Sequence, residues 1–221
     1  GSVGLINNFN NCVSSSFKKE NDLIIAIGND IFGNHPKYLA GSEFQKIIQN
    51  QLSGKPWLDF DFEKKLQKIT RELITSGLVN SSHDCSNGGL AVAISECCAL
   101  GNMGAKINIP INSWEIPLFG ENKSTIIFSI NPKNLKKVTN ICKINSIPLE
   151  KIGVVMDKKL IINNIIEIDL KEIHESWSSG FNNLWKIFWQ HIQLMLTSKS
   201  LKCIFYFYKR FFKNAKIWLQ M

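Results

Sequence analysis

The sequence predicts an α+β domain: a mixed sheet with helices packed against it. Three observations carry the α+β expectation. Leu23-Ile24-Ile25-Ala26-Ile27-Gly28 and Thr125-Ile126-Ile127-Phe128-Ser129-Ile130 are short runs rich in branched apolar residues, the signature of buried strands. Residues 62–76 carry apolar side chains at helical spacing. Strands and helices then alternate without a strict βαβ rhythm, which argues against a doubly wound sheet.

Taken in order, Val3-Gly4-Leu5-Ile6 and the Asn/Ser-rich stretch after it read as the end of an element begun upstream. The run at 23–28 is a buried strand stopped by glycine. Residues 29–42 read as loop, with Gly41-Ser42-Glu43 as an ordinary helix start at its end. In the helix at 62–76, Phe62, Leu66, Ile69, Leu73 and Ile74 share one face while Glu63, Lys64, Lys65, Lys68 and Glu72 fill the other. Gly77 stands where a left-handed cap is expected. A second helix is expected from about Leu90 to Leu100, ended by Gly101. After the strand at 125–130, Pro132 starts a helix through about Asn145, with Leu135, Val138 and Cys142 inward. Ile152 to Val155 and Leu160 to Ile166 read as paired strands around an Asp157-Lys158 turn.

A chain of 221 residues, 44% hydrophobic and 20% charged, is long enough to bury a sizeable core. Its net charge of +8 is unevenly placed. Residues 181–221 hold seven Lys/Arg (Lys186, Lys199, Lys202, Lys209, Arg210, Lys213, Lys216) and no Asp or Glu. Taking these seven from the total of 26 leaves 19 basic against 18 acidic residues. A near-neutral body gives no sign of a nucleic-acid-binding surface. The cysteines (Cys12, Cys85, Cys97, Cys98, Cys142, Cys203) lack the spacing of a zinc site, and reduced thiols in a cytoplasmic protein are expected. Adjacent Cys97 and Cys98 read as core residues. No Cys/His arrangement for nucleophilic catalysis stands out, and isolated His35, His174 and His191 receive no role.

The stretch Ser82-His83-Asp84-Cys85-Ser86-Asn87-Gly88-Gly89-Leu90 is the most pointed feature. Paired glycines let the backbone turn tightly and bring its N–H groups close to a ligand. A following helix adds unpaired donors and the positive end of its dipole, so phosphate is the natural guest. His83 and Asp84 are equally readable as ligands of phosphate or metal and as a pair that fixes the turn. Ser86 and Asn87 are good N-cap residues whatever binds nearby. Gly88 and Gly89 are readable as phosphate-contacting or as a place where loop packs tightly against sheet. Glu121 is either a ligand-facing or a solvated carboxylate.

Several of these residues carry a family likeness. His83-Asp84-Cys85-Ser86-Asn87-Gly88-Gly89-Leu90 resembles the His-Asp-Val-Ser-Asp-Gly-Gly-Leu signature of phosphoribosylformylglycinamidine synthases, in the aminoimidazole ribonucleotide synthetase (PurM-like) superfamily. Val3-Gly4-Leu5-Ile6 followed by Phe17-Lys18-Lys19-Glu20-Asn21-Asp22-Leu23-Ile24 looks like the junction between that family's ATP-binding-type and C-terminal-type domains. Leu39-Ala40-Gly41-Ser42-Glu43-Phe44 resembles its Gly-Gly-Ser-Glu-Tyr segment, and Leu118-Phe119-Gly120-Glu121-Asn122-Lys123-Ser124 its Phe-Gly-Glu-Ser-Gln segment. The likeness runs from about residue 2 to about residue 185, and four motifs in order are far more specific than one.

The resemblance implies a C-terminal portion of such a synthase. Its domains would be 1–28, the end of an ATP-binding-type (PurM N-terminal-like) domain; 29–185, a PurM C-terminal-like domain; and 186–221, a basic aromatic tail, read as non-native. The family uses ATP and Mg2+ to activate an amide oxygen of formylglycinamide ribonucleotide, and glutamine-derived ammonia displaces phosphate to give the amidine. The implied partners are the missing N-terminal half, a glutaminase domain or subunit, and nucleotide, with no nucleic acid and no membrane. The implied catalytic residues lie upstream, so none is assigned here, no metal ligand is assigned, and the chain alone is expected to be inactive. A nucleotide- or phosphate-binding role at a second, partly degenerate site is implied for His83, Asp84, Ser86, Asn87, Gly88, Gly89, Glu121 and Lys123. Two departures bear on it: Asn87 stands where the family has Asp, and Asn122-Lys123 replace Ser-Gln. Two alternatives stay open. One is another ATP-using member of the superfamily, of the selenophosphate synthetase or hydrogenase-maturation type. The other is a non-catalytic scaffold whose tail docks a membrane or a partner.

Overall fold

The computed structural model describes residues 4–6, 9, 12–110, 113–121 and 124–179. The chain divides into two compact units, Gly1–His174 and Glu175–Met221. Seven strands of the first unit form one sheet: β1 (Leu23–Gly28), β2 (Ser81–Asp84), β3 (Gly104–Ile107), β4 (Thr125–Ile130), β5 (Leu149–Met156), β6 (Lys159–Ile162) and β7 (Ile166–Asp169). Their order is β2-β4-β1-β5-β3-β6-β7. Every neighbouring pair is antiparallel except β3 and β6. Among the helices are α1 (Glu43–Ile48), α2 (Phe60–Thr75), α3 (Gly89–Gly101), α4 (Glu115–Phe119) and α5 (Leu135–Ile144). An α+β mixed sheet with packed helices is what the sequence predicts.

Alternation along β1 shows why its run is apolar throughout. Ile24 and Ala26 enter one core with Leu90, Ile94, Cys97 and Cys98 of α3. Ile25 and Ile27 enter a second core with Leu66, Ile69 and Leu73 of α2 and with Val138 and Cys142 of α5. A strand covered on both faces has no polar side to show. The Gly77 cap is left-handed at φ 63°, and Ser42 caps α1 by accepting from the Gln45 N–H at 3.3 Å. Because β1 is hydrogen-bonded between β4 and β5, a domain boundary at residue 28 would cut through this sheet.

The expected hairpin at Asp157-Lys158 is not formed. β5 and β6 run where the apolar pattern places them, but β3 lies between and pairs with both: Ala105 stands opposite Val155 on one side and Leu160 on the other. Gly104 permits this insertion, since a Cβ there would lie 2.2 Å from the Lys159 carbonyl oxygen. The run Leu160 to Ile166 is not one strand either. Asn163 and Asn164, at φ 48° and 56°, turn the chain so that β6 pairs with β7. Pro132 opens a 3-10 turn, Pro132–Asn134, and α5 follows it.

Candidate functional site

The polar stretch expected to be loop begins as an edge strand. β2 pairs with β4, Ser81 opposite Ser129, and their buried hydroxyls lie 2.6 Å apart. Strand register therefore fixes His83 and Asp84 before the glycines are reached. The Cys85 N–H donates to the Thr125 carbonyl at 3.0 Å, and the Gly89 N–H to the Ser86 carbonyl at 3.0 Å. Gly88 and Gly89 are left-handed at φ 79° and 67°. Gly88 occupies the cap position of α3, which therefore has no side-chain cap. The expectation that Ser86 or Asn87 caps this helix is not met: both are exposed, because the left-handed turn moves the helix start past them.

Glu121 closes the turn. Its Oε1 accepts the Gly88 N–H at 2.8 Å and the Glu43 N–H at 2.8 Å. The Glu121 N–H donates to the Tyr38 carbonyl at 2.9 Å. One residue thus ties together the glycine turn and the start of α1 through its carboxylate, and the turn Pro36–Leu39 through its main-chain N–H. The Tyr38 hydroxyl donates to Asp30 Oδ2 at 2.6 Å; burial first, and then this carboxylate, raise its pKa well above the ordinary phenol value. Gly89 serves close approach, since a Cβ there would lie 2.8 Å from the Phe119 carbonyl carbon and 2.9 Å from the Gly120 oxygen.

His83 is held on both sides. Nε2 lies 3.1 Å from Glu96 Oε2 on α3, and Nδ1 lies 2.8 Å from the Asp84 carbonyl oxygen. Its side chain is only 15% exposed, whereas that of Asp84 is 72% exposed. Asp84 borders a cavity of about 490 Å³ lined by Trp57, Leu66 and Ile126 on its apolar wall and by Glu63, Asp84 and Glu121 as carboxylates. Thr125 also lines it, and its buried Oγ1 has no hydrogen-bond partner. Asn122 and Lys123 lie outside the described residues, as does the tail 186–221. Behind the turn, burial raises the Cys97 thiol far above its usual range and pushes Cys98 up to about 12. Both belong to the core, as the sequence predicts.

The structure thus brings Gly88, Gly89 and Glu121 together, sets His83 against Glu96, and leaves Asp84, Ser86 and Asn87 exposed. Sequence reasoning missed the Glu43 amide, the Tyr38 carbonyl, Glu96 and Thr125. Contacts across 78 and 33 positions leave no local pattern to find. Among the described residues no group of three His, Cys, Asp or Glu is arranged to hold a metal ion. Nor is any helix among them long and apolar enough to cross a membrane.

Comparison with known proteins gives a consistent picture. The chain is 36% identical over 183 residues to the phosphoribosylformylglycinamidine synthase subunit PurL of Caldanaerobacter subterraneus subsp. tengcongensis, covering 80% of this chain and 24% of that protein. It is 31% identical over 190 residues to the subunit of the same name from Synechocystis, with 81% and 24% covered. The chain therefore spans about a quarter of the length of these relatives. Among solved structures, T. maritima PurL complexed with FGAR superposes with a TM-score of 0.63 at 20% identity, over 75% of this chain and 30% of that one. T. maritima PurL complexed with AMPPCP gives 0.56 at 20% identity, over 75% and 28%. These two show the fold. Residues 19–163 match the family described as AIR synthase related protein, C-terminal domain, and the chain belongs to that family.

Proposed function

We propose that this chain is the C-terminal portion of a phosphoribosylformylglycinamidine synthase and acts only with the rest of that enzyme. The observation that carries this reading is 36% identity to a PurL subunit along 183 residues, most of the chain. Its order of motifs agrees: the Ser42-Glu43 helix start, the His83–Gly89 turn and the Gly120-Glu121 segment converge on one carboxylate. The reaction would be ATP-dependent conversion of formylglycinamide ribonucleotide and glutamine-derived ammonia to the amidine, in the cytoplasm, with a glutaminase domain or subunit as ammonia source. Bound magnesium would neutralise phosphate charge.

Within that enzyme the chain's part is a nucleotide site. Gly88 and Gly89 supply the turn, His83 and Asp84 are set beside it by β2, and Ser86 and Asn87 are the polar groups at its rim; Lys123, outside the described residues, is included on the family likeness alone. T. maritima PurL has been solved with ATP, ADP and AMPPCP, which supports this reading. Residues ahead of β1 would end the preceding ATP-binding-type domain. The tail 186–221 we read as non-native.

Complementation of a purine auxotroph lacking the synthase tests the proposal. Growth is expected when the chain is co-expressed with the remaining part of a related PurL subunit, and not with either piece alone. No growth with both pieces accumulating as folded protein would refute it.

A further inference from the structure

We infer that Glu121 is an internal anion seated in the glycine turn, and that a phosphate group reaches the Gly88 amide only by displacing it; this rests on the nucleotide site proposed above. Two backbone donors far apart in sequence, Gly88 and Glu43, both reach Glu121 Oε1 at 2.8 Å. Convergent main-chain N–H groups around one anionic oxygen are how proteins hold phosphate. Here the chain supplies the oxygen itself.

The turn is built to keep that shape. Gly88 and Gly89 are both left-handed, and a Cβ on Gly88 would lie 2.4 Å from Val92 Cγ2. The main chain at Glu121 is equally fixed. Its N–H donates to the Tyr38 carbonyl at 2.9 Å, and the preceding Gly120 N–H donates to the Ile116 carbonyl at 2.9 Å. Release of the amides therefore needs only side-chain rotation, with no movement of either loop. The cavity that Glu121 lines gives the carboxylate somewhere to go and a ligand a way in.

Charge decides which occupant wins. Glu63 and Asp84 line the same cavity, so a carboxylate swung outward meets like charge, and so does a bare anion coming in. In the absence of a compensating cation both effects keep Glu121 seated. The turn is a competitive anion site rather than an open one. Removing the carboxylate should leave two aimed donors with no acceptor, which inorganic phosphate can then satisfy.

The test uses the full chain, as wild type, E121A and E121Q, with the Gly88 and Glu43 amide signals followed by NMR. In the wild type neither amide should respond to millimolar inorganic phosphate. In E121A both should move together and saturate, with apparent affinity at least about tenfold tighter, the worth of a charge-assisted hydrogen bond. Acetate should act on E121A in the same way. Folded E121A whose amides ignore both anions, or wild type that binds phosphate as well as E121A, would overturn the inference. Should E121A not fold, E121Q without any anion decides: both amide signals shifting upfield together supports the seat, and both unmoved overturns it. Titration with ATP and magnesium separates the two readings. Phosphate binding by E121A with no ATP binding by either protein, alone or mixed with the remaining part of a related PurL subunit, leaves the internal anion standing and removes the nucleotide site.

Discussion

At Gly89 a methyl group would sit 2.8 Å from the Phe119 carbonyl carbon and 2.9 Å from two further backbone oxygens, at a φ of 67°. At Gly77, with φ 63°, the same methyl group would meet nothing within 4 Å. The pair separates conformational cost from steric cost at single residues. Gly77→Ala should cost about 1 kcal/mol, the left-handed penalty alone. Gly89→Ala should cost clearly more, because backbone must move as well. Urea denaturation of both variants measures this, and equal losses would show that the approach of α3 to residues 118–120 is not tight. The site residues follow the same logic. The Gly-Gly pair is legible because glycine takes left-handed positions at least cost and, at Gly89, leaves no Cβ to meet the backbone of residues 118–120. The partner that fills the turn is not, since nothing near Gly88 in sequence announces a carboxylate 33 positions on.

Among the elements, legibility tracks burial. β1 and β4 are covered on both faces, so their runs are almost wholly apolar and their ends agree with the sequence expectation. α2 is amphipathic because its inner face alone meets the second core. β2 reads Ser-Ser-His-Asp and escapes notice because an edge strand needs no apolar pattern. β3 is four residues long and shows only Ala105 and Ile107 as its inner face. Its insertion between β5 and β6 also explains the mistaken hairpin. Two apolar runs a turn apart suggest direct pairing, but pairing depends on a third strand more than 40 positions upstream. Gly104 is the residue on which that insertion turns. Gly104→Ala should free β6 and β7 from β3, since the Lys159 backbone has no room for the added carbon. Hydrogen exchange should show faster exchange at the β6 amides while β1 and β4 stay protected. Unchanged protection at β6 would contradict this placement.

For the molecule as a whole, the sheet carries its two cores on opposite faces, and the candidate site lies at the end where β2, β4 and the start of α3 meet. The site's polar groups mostly serve one another: His83 with Glu96, Gly88 and Glu43 with Glu121. Such an organisation fits the proposal that the chain adds a phosphate site to a larger synthase whose reacting groups lie elsewhere. The direct measurement is release of ADP from ATP in the presence of formylglycinamide ribonucleotide, ammonia and magnesium. It compares the purified chain, the remaining part of a related PurL subunit, and their mixture. Release should occur only in the mixture and only with the ribonucleotide present. Release by the chain alone, or none from a mixture of two folded pieces that associate, would contradict the account.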